Sequence, residues 1–464
     1  MRTPESTADA DGAAPQHPHR QLRSMLKVGV IGFGGGSALI PVMERELVND
    51  RGGLTEQEFV RDTVIANITP GALPVKLAAL AGLRVRGPLT GLLSAIAVAL
   101  PGTALTVALL ALFSSLGPGG IRVVEGLSLG VTAFILFLLA HYVMRVLRPQ
   151  SRWHVTGVVI AVVVFIVTGA DVTSALIADL AGVPHVELPR FSAVAVILLA
   201  LAAAGVLAMA QWWLARRRAR LAPTEHTARA SHDDDGGTGP SVVRVVLGTV
   251  ALVVLMLAAG AVGMLMLPGG VELIPLVTLS TVSSFGGGEA YVAVADGFFV
   301  APGIVDSLDF YGQIVPVANA LPGPILVKVA AGMGYSVGAA AGGPLVGVAL
   351  ATAIMLVTIG ACAALALALL GVYDSARRSR FVRMISAIIL PVVCGLLAST
   401  SVALLHASAV IGERVELPGL AVVVGTIVLA GLVAIVHQRV RVPDLVVIAV
   451  CAGLSLAVAL VVGG

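Results

Sequence analysis

The sequence predicts an all-α polytopic membrane protein with two inverted-topology repeats, whose broken or re-entrant half-helices meet at a central site. Three observations lead to this fold class. The chain is 58% hydrophobic and only 12% charged, with a mean hydropathy of +1.00. Its apolar runs are long enough to cross a bilayer and lack the alternation of barrel strands, so helices must satisfy the backbone in lipid. A segment of the first half also recurs in the second half.

This internal repeat has an offset of 252 residues, and 18 of the 59 positions from 33 to 91 are identical to their counterparts. It places Phe33-Gly34-Gly35-Gly36 onto Phe285-Gly286-Gly287-Gly288, Asn67 onto Asn319, and Lys76 onto Lys328. Only three lysines occur in the chain, and this matched pair lies deep in apolar sequence. A repeated cation inside a membrane-like segment indicates an anion site at a symmetry axis.

The chain divides into five parts by composition. Residues 1–20 are polar and lack the apolar core of a signal peptide, so they are predicted to be a disordered tail. The first repeat covers 21–215, a charged cytoplasmic linker covers 216–241, a connecting transmembrane helix covers 242–268, and the second repeat covers 269–464. Cys362, Cys394 and Cys451 lie in apolar runs without metal-ligand spacing and are interpreted as packing residues.

Each repeat opens with a segment that is interrupted by a glycine triplet and by a Pro-Gly pair. Residues 54–67 and 72–86, and their counterparts 306–319 and 324–338, are about half as long as a membrane span and are predicted to be half-helices. Re-entrant hairpins and broken spans fit this pattern equally well. Broken helices in corresponding places of two repeats point to a transporter's substrate site. The remaining predicted spans are 88–116, 121–147, 153–180, 190–215, 340–371, 378–405, 417–436 and 442–462.

Arginine placement predicts the orientation of the halves. In the first half, arginines follow each pair of predicted spans, and they include Arg216–Arg220. These arginines all fall on one side of the membrane. The arginines of the second half, at Arg377–Arg383 and Arg439, fall on the same side if 242–268 crosses the membrane once. Equivalent positions of the two repeats then face opposite sides. The prediction is a multi-pass protein of the inner (cytoplasmic) membrane with a cytoplasmic N-terminus.

The motifs resemble those of the chromate ion transporter family in its two-domain, long-chain form. The resemblance rests on the two glycine triplets, on Thr69-Pro70-Gly71 and Leu321-Pro322-Gly323-Pro324, and on Gly82–Gly87 in the first half and Gly334-Tyr335 in the second. These motifs follow the same order in both halves. It implies a secondary active antiporter that exports chromate or a similar oxyanion, with sulfate as a structural mimic. Two features depart from the family pattern: Ala72 replaces the second proline of Pro-Gly-Pro, and the lysines replace an uncharged residue. The lysines favour an anion as substrate without fixing which one.

The candidate substrate-binding residues surround the two breaks. They are Lys76, Lys328, Gly34, Gly35, Gly36, Gly286, Gly287, Gly288, Asn67, Asn319, Pro70, Gly71, Pro322 and Gly323. Helix N-termini offer free backbone amide groups to an anion, and glycine allows a close approach. Alternatively, the lysines snorkel to the interface, the glycines only permit helix packing, and the asparagines cap helix ends. Candidates for proton coupling are Glu289, Glu44 and Asp296.

Other functions remain open at this point. A carrier or channel for sulfate, a phosphorus oxyanion or a small carboxylate is the alternative within transport. The sequence contains neither a phosphate-binding Gly-x-x-x-x-Gly-Lys-Ser/Thr loop nor His-Glu-x-x-His, so an enzyme is not favoured and no cofactor, metal or catalytic residue is expected. The expected partners are a small inorganic oxyanion, protons and the lipid bilayer, with no nucleic acid. An oligomer is compatible with the sequence but is not required by it.

Overall fold

The protein was analysed as a computed structural model. It describes residues 18–32, 39–48, 54–116, 118–147, 154–186, 188–189, 191, 193–221, 240–266, 270–285, 288–371, 380–440 and 442–462.

Every regular element within these ranges is a helix. Nine helices of the described residues are long and apolar enough to cross a membrane: Pro88–Ser114, Arg122–Val146, Val155–Ala181, Val242–Met266, Ile325–Gly342, Pro344–Gly371, Ile388–Arg414, Gly419–Arg439 and Asp444–Val461. The prediction of an all-α polytopic membrane protein is therefore confirmed. The opposite orientation of the two repeats stays a prediction.

The helices of the first half are α1 (Pro18–Ile31), α2 (Ile40–Leu47), α3 (Glu56–Ile68), α4 (Leu73–Arg86), α5 (Pro88–Ser114), α6 (Pro118–Val146), α7 (His154–Ala181) and α8 (Ala193–Leu221). Helix α9 (Val242–Met266) joins the halves. The second half contains α10 (Gly270–Ser283), α11 (Gly288–Ala295, continued by a π-helical turn over Asp296–Val300), α12 (Ser307–Asp309, a π-helical turn over Phe310–Ile314, and Val315–Ala320), α13 (Ile325–Gly342), α14 (Pro344–Gly371), α15 (Arg380–Arg414), α16 (Gly419–Arg439) and α17 (Asp444–Val462).

Some bounds differ from the expected ones. Helix α1 begins at Pro18, inside the predicted tail, and α8 continues to Leu221, inside the predicted linker. The rest of both segments lies outside the described residues. Helix α13 is four residues longer than its counterpart α4, since they span 18 and 14 residues from equivalent starts. The additional turn makes α13 a candidate span instead of a half-helix.

Local sequence explains where the paired short helices begin and end. Thr55 and Glu58 form a reciprocal capping box at the start of α3, and the Asp306 carboxylate accepts backbone N–H groups at the start of α12. Both pairs are interrupted at a Pro-Gly, where Gly71 and Gly323 adopt φ values of +96° and +94°. Only glycine takes such values without strain, so the chain turns sharply at these two points.

The two halves are packed into each other. Helix α4 packs on α14 of the other half, and α13 packs on α5. The outer helices follow the same rule: α7 and α8 pack on α15, whereas α16 and α17 pack on α6. Each of these contacts between a helix of the first half and one of the second is thus matched by a contact between their two counterparts. A pseudo-twofold arrangement has this pattern. The two breaks lie within this shared core.

Candidate functional site

Each Pro-Gly break is hydrogen-bonded to the opposite half. The Gly71 N–H donates to the Ser284 carbonyl at 2.7 Å, and the Gly323 N–H donates to the Gly32 carbonyl at 2.8 Å. The same 252-residue offset relates both donors and both acceptors. The bonds are therefore equivalent and reciprocal, which is the pattern of a twofold interface. They bring both breaks to the boundary between the repeats.

The matched lysines are buried beside these breaks. Lys76 is 2% exposed and Lys328 is 0% exposed. The Lys76 ammonium reaches back across its break and donates to the carbonyl of Thr69 at 2.6 Å, and the Lys328 ammonium donates to the equivalent carbonyl of Leu321. Each ammonium thus lies between the end of one short helix and the start of the next.

This position gives each lysine a structural contact and leaves it with spare donors. The last carbonyls of a helix lack intrahelical partners and carry a partial negative charge, so an ammonium stabilises them. An ammonium has three N–H donors, and a single carbonyl uses one. Within the described ranges, no carboxylate pairs with either lysine. A buried cation without an anionic partner is costly, so an anion that entered this region would be attracted to it.

The helix starts beside the lysines lack side-chain caps. The residues at the N-cap positions of α4 and α13 are Ala72 and Pro324, and neither has a side chain that caps the first turn. The Ala72 N–H donates instead to Cys362 Sγ at 3.2 Å. Uncapped first-turn amide groups and the helix dipole form an anion-binding arrangement.

The asparagines lie close to the breaks but turn towards their own helices. The side-chain amide of Asn67 donates to the Thr63 carbonyl, and that of Asn319 donates to the equivalent Val315 carbonyl, both at 2.8 Å. Asn67 is exposed and Asn319 is buried. In this arrangement the amides hydrogen-bond to the preceding turn, and their contact with substrate stays a prediction.

The other predicted residues are placed as follows. Pro70 is half-buried, and Gly288 is so close to the start of α13 that an added Cβ would lie 2.7 Å from Ile325 Cβ. Gly34, Gly35, Gly36, Gly286 and Gly287 lie outside the described residues, as does the side chain of Glu289. Glu44 is exposed on α2, and Asp296 is half-buried where the π-helical turn of α11 begins.

Sequence reasoning missed four buried hydroxyl side chains on the two elements of the second half that contact the first break. We define the hydroxyl cluster as Thr281, Ser283, Ser284 and Thr358. Each of these residues is at most 1% exposed, and none of the four hydroxyl groups has a hydrogen-bond partner. Three come from the run Ser280–Ser284, where the first repeat has Val28–Gly32. This substitution of hydroxyls for aliphatic residues and glycine is visible in the aligned repeats and could have been noticed there.

A buried ion pair was also missed. Asp62 lies in the charge-rich segment Glu56–Asp62, yet it is 1% exposed. Its carboxylate accepts two hydrogen bonds from Arg84, from Nε at 2.8 Å and from Nη2 at 2.7 Å. The pair ties α3 to α4. The equivalent positions in the second repeat are Ile314 and Ser336, which cannot form it.

A cavity of about 360 Å³ opens where the second repeat lacks this ion pair. Both Ile314 and Ser336 line it, together with two carboxylates, Asp309 and Glu125. The Ser336 hydroxyl donates to Asp309 at 3.2 Å, and Arg414 approaches Glu125 at 3.4 Å. The cavity lies beside α12 and α13 and gives the second half an acidic recess.

One motif associated with hydrolases occurs in the chain. Gly126–Gly130 matches Gly-x-Ser-x-Gly. A nucleophile elbow requires this motif at a sharp turn from a strand to a helix. Here it lies within the continuous helix α6, and the Ser128 hydroxyl donates to the Glu125 carbonyl in the preceding turn. The match therefore carries no catalytic geometry.

Comparison with known families accounts for the duplicated architecture. The sequence profile of the family described as chromate transporter matches residues 20–185 and again residues 271–456, which together are more than half of the chain. The chain belongs to the chromate transporter family. The double match confirms the resemblance inferred from the motifs and the two-domain form. Members of this family are membrane transport proteins, which fits the helical architecture.

Individual relatives are more distant. An uncharacterized transporter, YwrB of Bacillus subtilis, is 32% identical over 154 residues, which are 32% of this chain and 77% of the relative. A probable chromate transport protein of Synechococcus elongatus is 31% identical over 136 residues, 28% of this chain and 34% of that protein. The chromate transport protein of Pseudomonas aeruginosa is 28% identical over 146 residues, 31% of this chain and 35% of that protein. The latter two alignments therefore span about a third of each relative. No solved structure matches the chain.

Proposed function

We propose that this protein is a secondary active transporter that exports chromate or a similar oxyanion across the cytoplasmic membrane in exchange for protons. The observation that carries the proposal is the pair of buried lysines at the reciprocal helix breaks, neither of which has a carboxylate partner among the described residues. Family membership and the chromate transport proteins among the relatives support the substrate class.

A dianionic oxyanion is strongly hydrated, so a site in the membrane must replace its water with hydrogen-bond donors and positive charge. The uncapped starts of α4 and α13 supply backbone donors and a partial positive charge, and the ammonium groups supply the rest. Because the breaks lie at the boundary between two interlocked halves, movement of one half against the other would change access to them.

Proton coupling requires a group that changes charge during transport. Glu289, Glu44 and Asp296 remain candidates, and Asp309 adds a carboxylate in a cavity beside the second break helices. Replacement of Asp309 by asparagine keeps the shape and removes the titrating group. We expect this variant to transport its substrate without a response to an imposed pH gradient.

The function is tested by uptake of labelled chromate and labelled sulfate into proteoliposomes, with and without a pH gradient. The variants Lys76→Gln and Lys328→Gln remove one ammonium each. Lys27→Gln is the matched control, because Lys27 is the remaining lysine, has a 58% exposed side chain and pairs with Glu46. We expect gradient-dependent uptake by the wild type and by the control variant, and loss of uptake in both buried-lysine variants.

A carrier or channel for another anion is the second candidate, and the two lysines favour it because they add charge that the family's usual uncharged residue lacks. Uptake of sulfate, phosphate or acetate in preference to chromate would establish this alternative. Uptake that only follows the anion's own gradient would indicate a channel. Absence of uptake of every tested anion by folded protein would contradict the proposal.

A further inference from the structure

We infer that the transported oxyanion is held at only one of the two breaks, the first, by Lys76 and the hydroxyl cluster of the second half. The matching break at Lys328 lacks the equivalent hydroxyl groups; it takes part in turnover but does not hold the anion. This inference rests on the proposed anion transport and adds the location and the donor set of the site.

The first break contacts the two elements of the second half that carry the hydroxyl cluster. Ser284 accepts the Gly71 N–H through its carbonyl, which places the end of the hydroxyl cluster at the turn. Cys362 contacts the same turn, because a Cβ added to Gly71 would lie 2.5 Å from its Sγ. Thr358 lies one helical turn before Cys362 and therefore on the same face of α14.

These hydroxyl groups lack partners although they are buried. Leaving a buried polar group without a hydrogen bond is energetically costly, and most such groups in proteins are satisfied. Several at one place therefore indicate a polar occupant. Hydroxyl groups donate to oxyanions, and Lys76 supplies two further N–H donors beyond the one that the Thr69 carbonyl uses. The set fits an anion with several oxygen atoms.

Two further polar groups extend this region. Ser280 and Tyr291 are both 0% exposed, and their hydroxyl oxygens are 3.3 Å apart. They form a hydrogen-bonded pair on α10 and α11, next to the cluster in sequence. The pair is satisfied, so it supports the wall of the site and leaves the unpartnered hydroxyls free for a ligand.

At the second break, aliphatic residues and glycine take the place of the hydroxyl residues of Ser280–Ser284. The residues equivalent to Ser280, Thr281, Ser283, Ser284 and Tyr291 are Val28, Gly29, Ile31, Gly32 and Leu39. Gly102 faces this break without a side chain, since an added Cβ would lie 2.0 Å from the Pro322 carbonyl oxygen and 3.2 Å from Lys328 Cδ. Among the described residues 28–32, no hydroxyl group occupies the positions that Thr281, Ser283 and Ser284 occupy beside the first break.

Helix α5 carries two hydroxyl groups close to Gly102 in the sequence. Thr103 follows Gly102 in α5 and is unpartnered. Adjacent residues of a helix point about 100° apart, so the face that Gly102 presents to the break is not the face that carries Thr103. The hydroxyl of Thr106, one turn later, is already used by the Gly102 carbonyl. Neither threonine therefore supplies a free hydroxyl group to the second break, and the hydroxyl groups of the first break have no free match there.

The test is equilibrium binding of labelled chromate to the purified full-length protein, compared with transport in proteoliposomes. We expect Thr281→Val, Ser283→Ala and Thr358→Val each to weaken chromate binding about tenfold or more, the effect of a lost hydrogen bond to a charged group. Ser94→Ala is the matched control, because its hydroxyl is equally buried and unpartnered but lies beside Gly82, away from the breaks. Melting temperature and elution profile establish that each variant is folded.

The two lysine variants separate the breaks. Lys76→Gln should abolish binding and transport, whereas Lys328→Gln should abolish transport while binding stays near the wild-type value. Equal loss of binding in both lysine variants would establish a shared central site and overturn the inference. Cluster variants that bind as tightly as Ser94→Ala would also overturn it and assign the hydroxyl groups to water. If the folded wild type binds neither labelled chromate nor labelled sulfate, the proposed function fails together with the inference.

Discussion

At the scale of single residues, the two glycines of the breaks occupy matching backbone conformations in different surroundings. Gly71 and Gly323 have φ values of +96° and +94°. A Cβ added to Gly71 would lie 2.5 Å from Cys362 Sγ, but at Gly323 the nearest atom would be the Gly29 carbonyl oxygen at an ordinary 3.5 Å. A side chain at either position would therefore strain the backbone, but only a side chain at Gly71 would also clash with a neighbouring atom.

Gly71→Ala and Gly323→Ala should consequently differ. Both variants incur backbone strain of about 1–3 kcal/mol. Gly71→Ala should lower the melting temperature and the folded yield further, because Cys362 must also move. The measurement is the thermal unfolding of purified protein in detergent. Cys362→Ala removes the sulfur atom, so the double variant should recover most of the difference, and equal melting temperatures for the two single variants would contradict this packing.

At the scale of elements, the short helices of the first repeat are held together differently from those of the second. The Arg84–Asp62 pair joins α3 to α4, while the equivalent region of α12 and α13 opens into the acidic cavity. Both charged groups of the pair are almost fully buried, with side-chain exposures of 5% and 1%. Removal of Arg84 would leave the Asp62 carboxylate buried without this partner, and removal of Asp62 would leave the buried Arg84 only its longer, 3.8 Å contact with Glu58.

Asp62→Leu is therefore expected to destabilise the protein by about 3–5 kcal/mol. The double variant Asp62→Leu/Arg84→Met should be more stable than this single variant, because no buried charge is left. Melting temperatures of the wild type, both single variants and the double variant form the cycle that measures the coupling. Additive losses across the cycle would show that the two side chains act independently.

The sequence predicted the local features of the helices but not their long-range partners. The apolar runs, the Pro-Gly breaks and the repeat offset predicted most helices and the pairing of short helices, because composition and backbone preferences are local. They did not predict that Asp62 is buried, since its partner Arg84 lies 22 residues away in the chain. They also did not predict the contact of Cys362 with Ala72, which spans 290 residues. Long-range partners depend on how the halves interlock, and periodicity carries no such information.

At the scale of the whole molecule, the exchange of outer helices between the halves makes the fold a single interlocked body. The best-placed contact for a test joins α6 to α17, where a Cβ added to Gly126 would lie 3.4 Å from Ala459 Cβ. Disulfides typically have Cβ atoms about 3.5–4.5 Å apart. Gly126→Cys/Ala459→Cys in a cysteine-free background should therefore form a disulfide on mild oxidation.

The readout is a protease site inserted between residues 222 and 239, which separates the halves on a gel unless the disulfide joins them. Gly182→Cys/Ala459→Cys is the control, since nothing lies within 4 Å of a Cβ at Gly182. Halves that separate in the first variant as completely as in the control would refute the packing of α17 on α6.

The predicted opposite orientation of the repeats is a second property of the whole molecule. Arg86 at the end of α4 and Ala341 at the end of α13 are both exposed and lie at corresponding helix ends. With the inverted arrangement, Arg86→Cys should react with a membrane-impermeant thiol reagent only after cells are opened. Ala341→Cys should react in intact cells. Labelling of both positions under the same condition would show that the repeats are parallel.

Under the proposed transport by inverted repeats, the additional turn of α13 has a consequence for the energetics of alternating access. Two identical inverted repeats could exchange conformations at no net free-energy difference, so the inward-open and outward-open states would be equally populated in the absence of substrate and gradient. Here one repeat has 14 residues after its break and the other has 18, a difference of about 6 Å in helix length. The exchanged states therefore cannot be degenerate. We expect the empty carrier to rest predominantly with one side open, and its duplicated halves to be specialised as unequal partners of a single cycle.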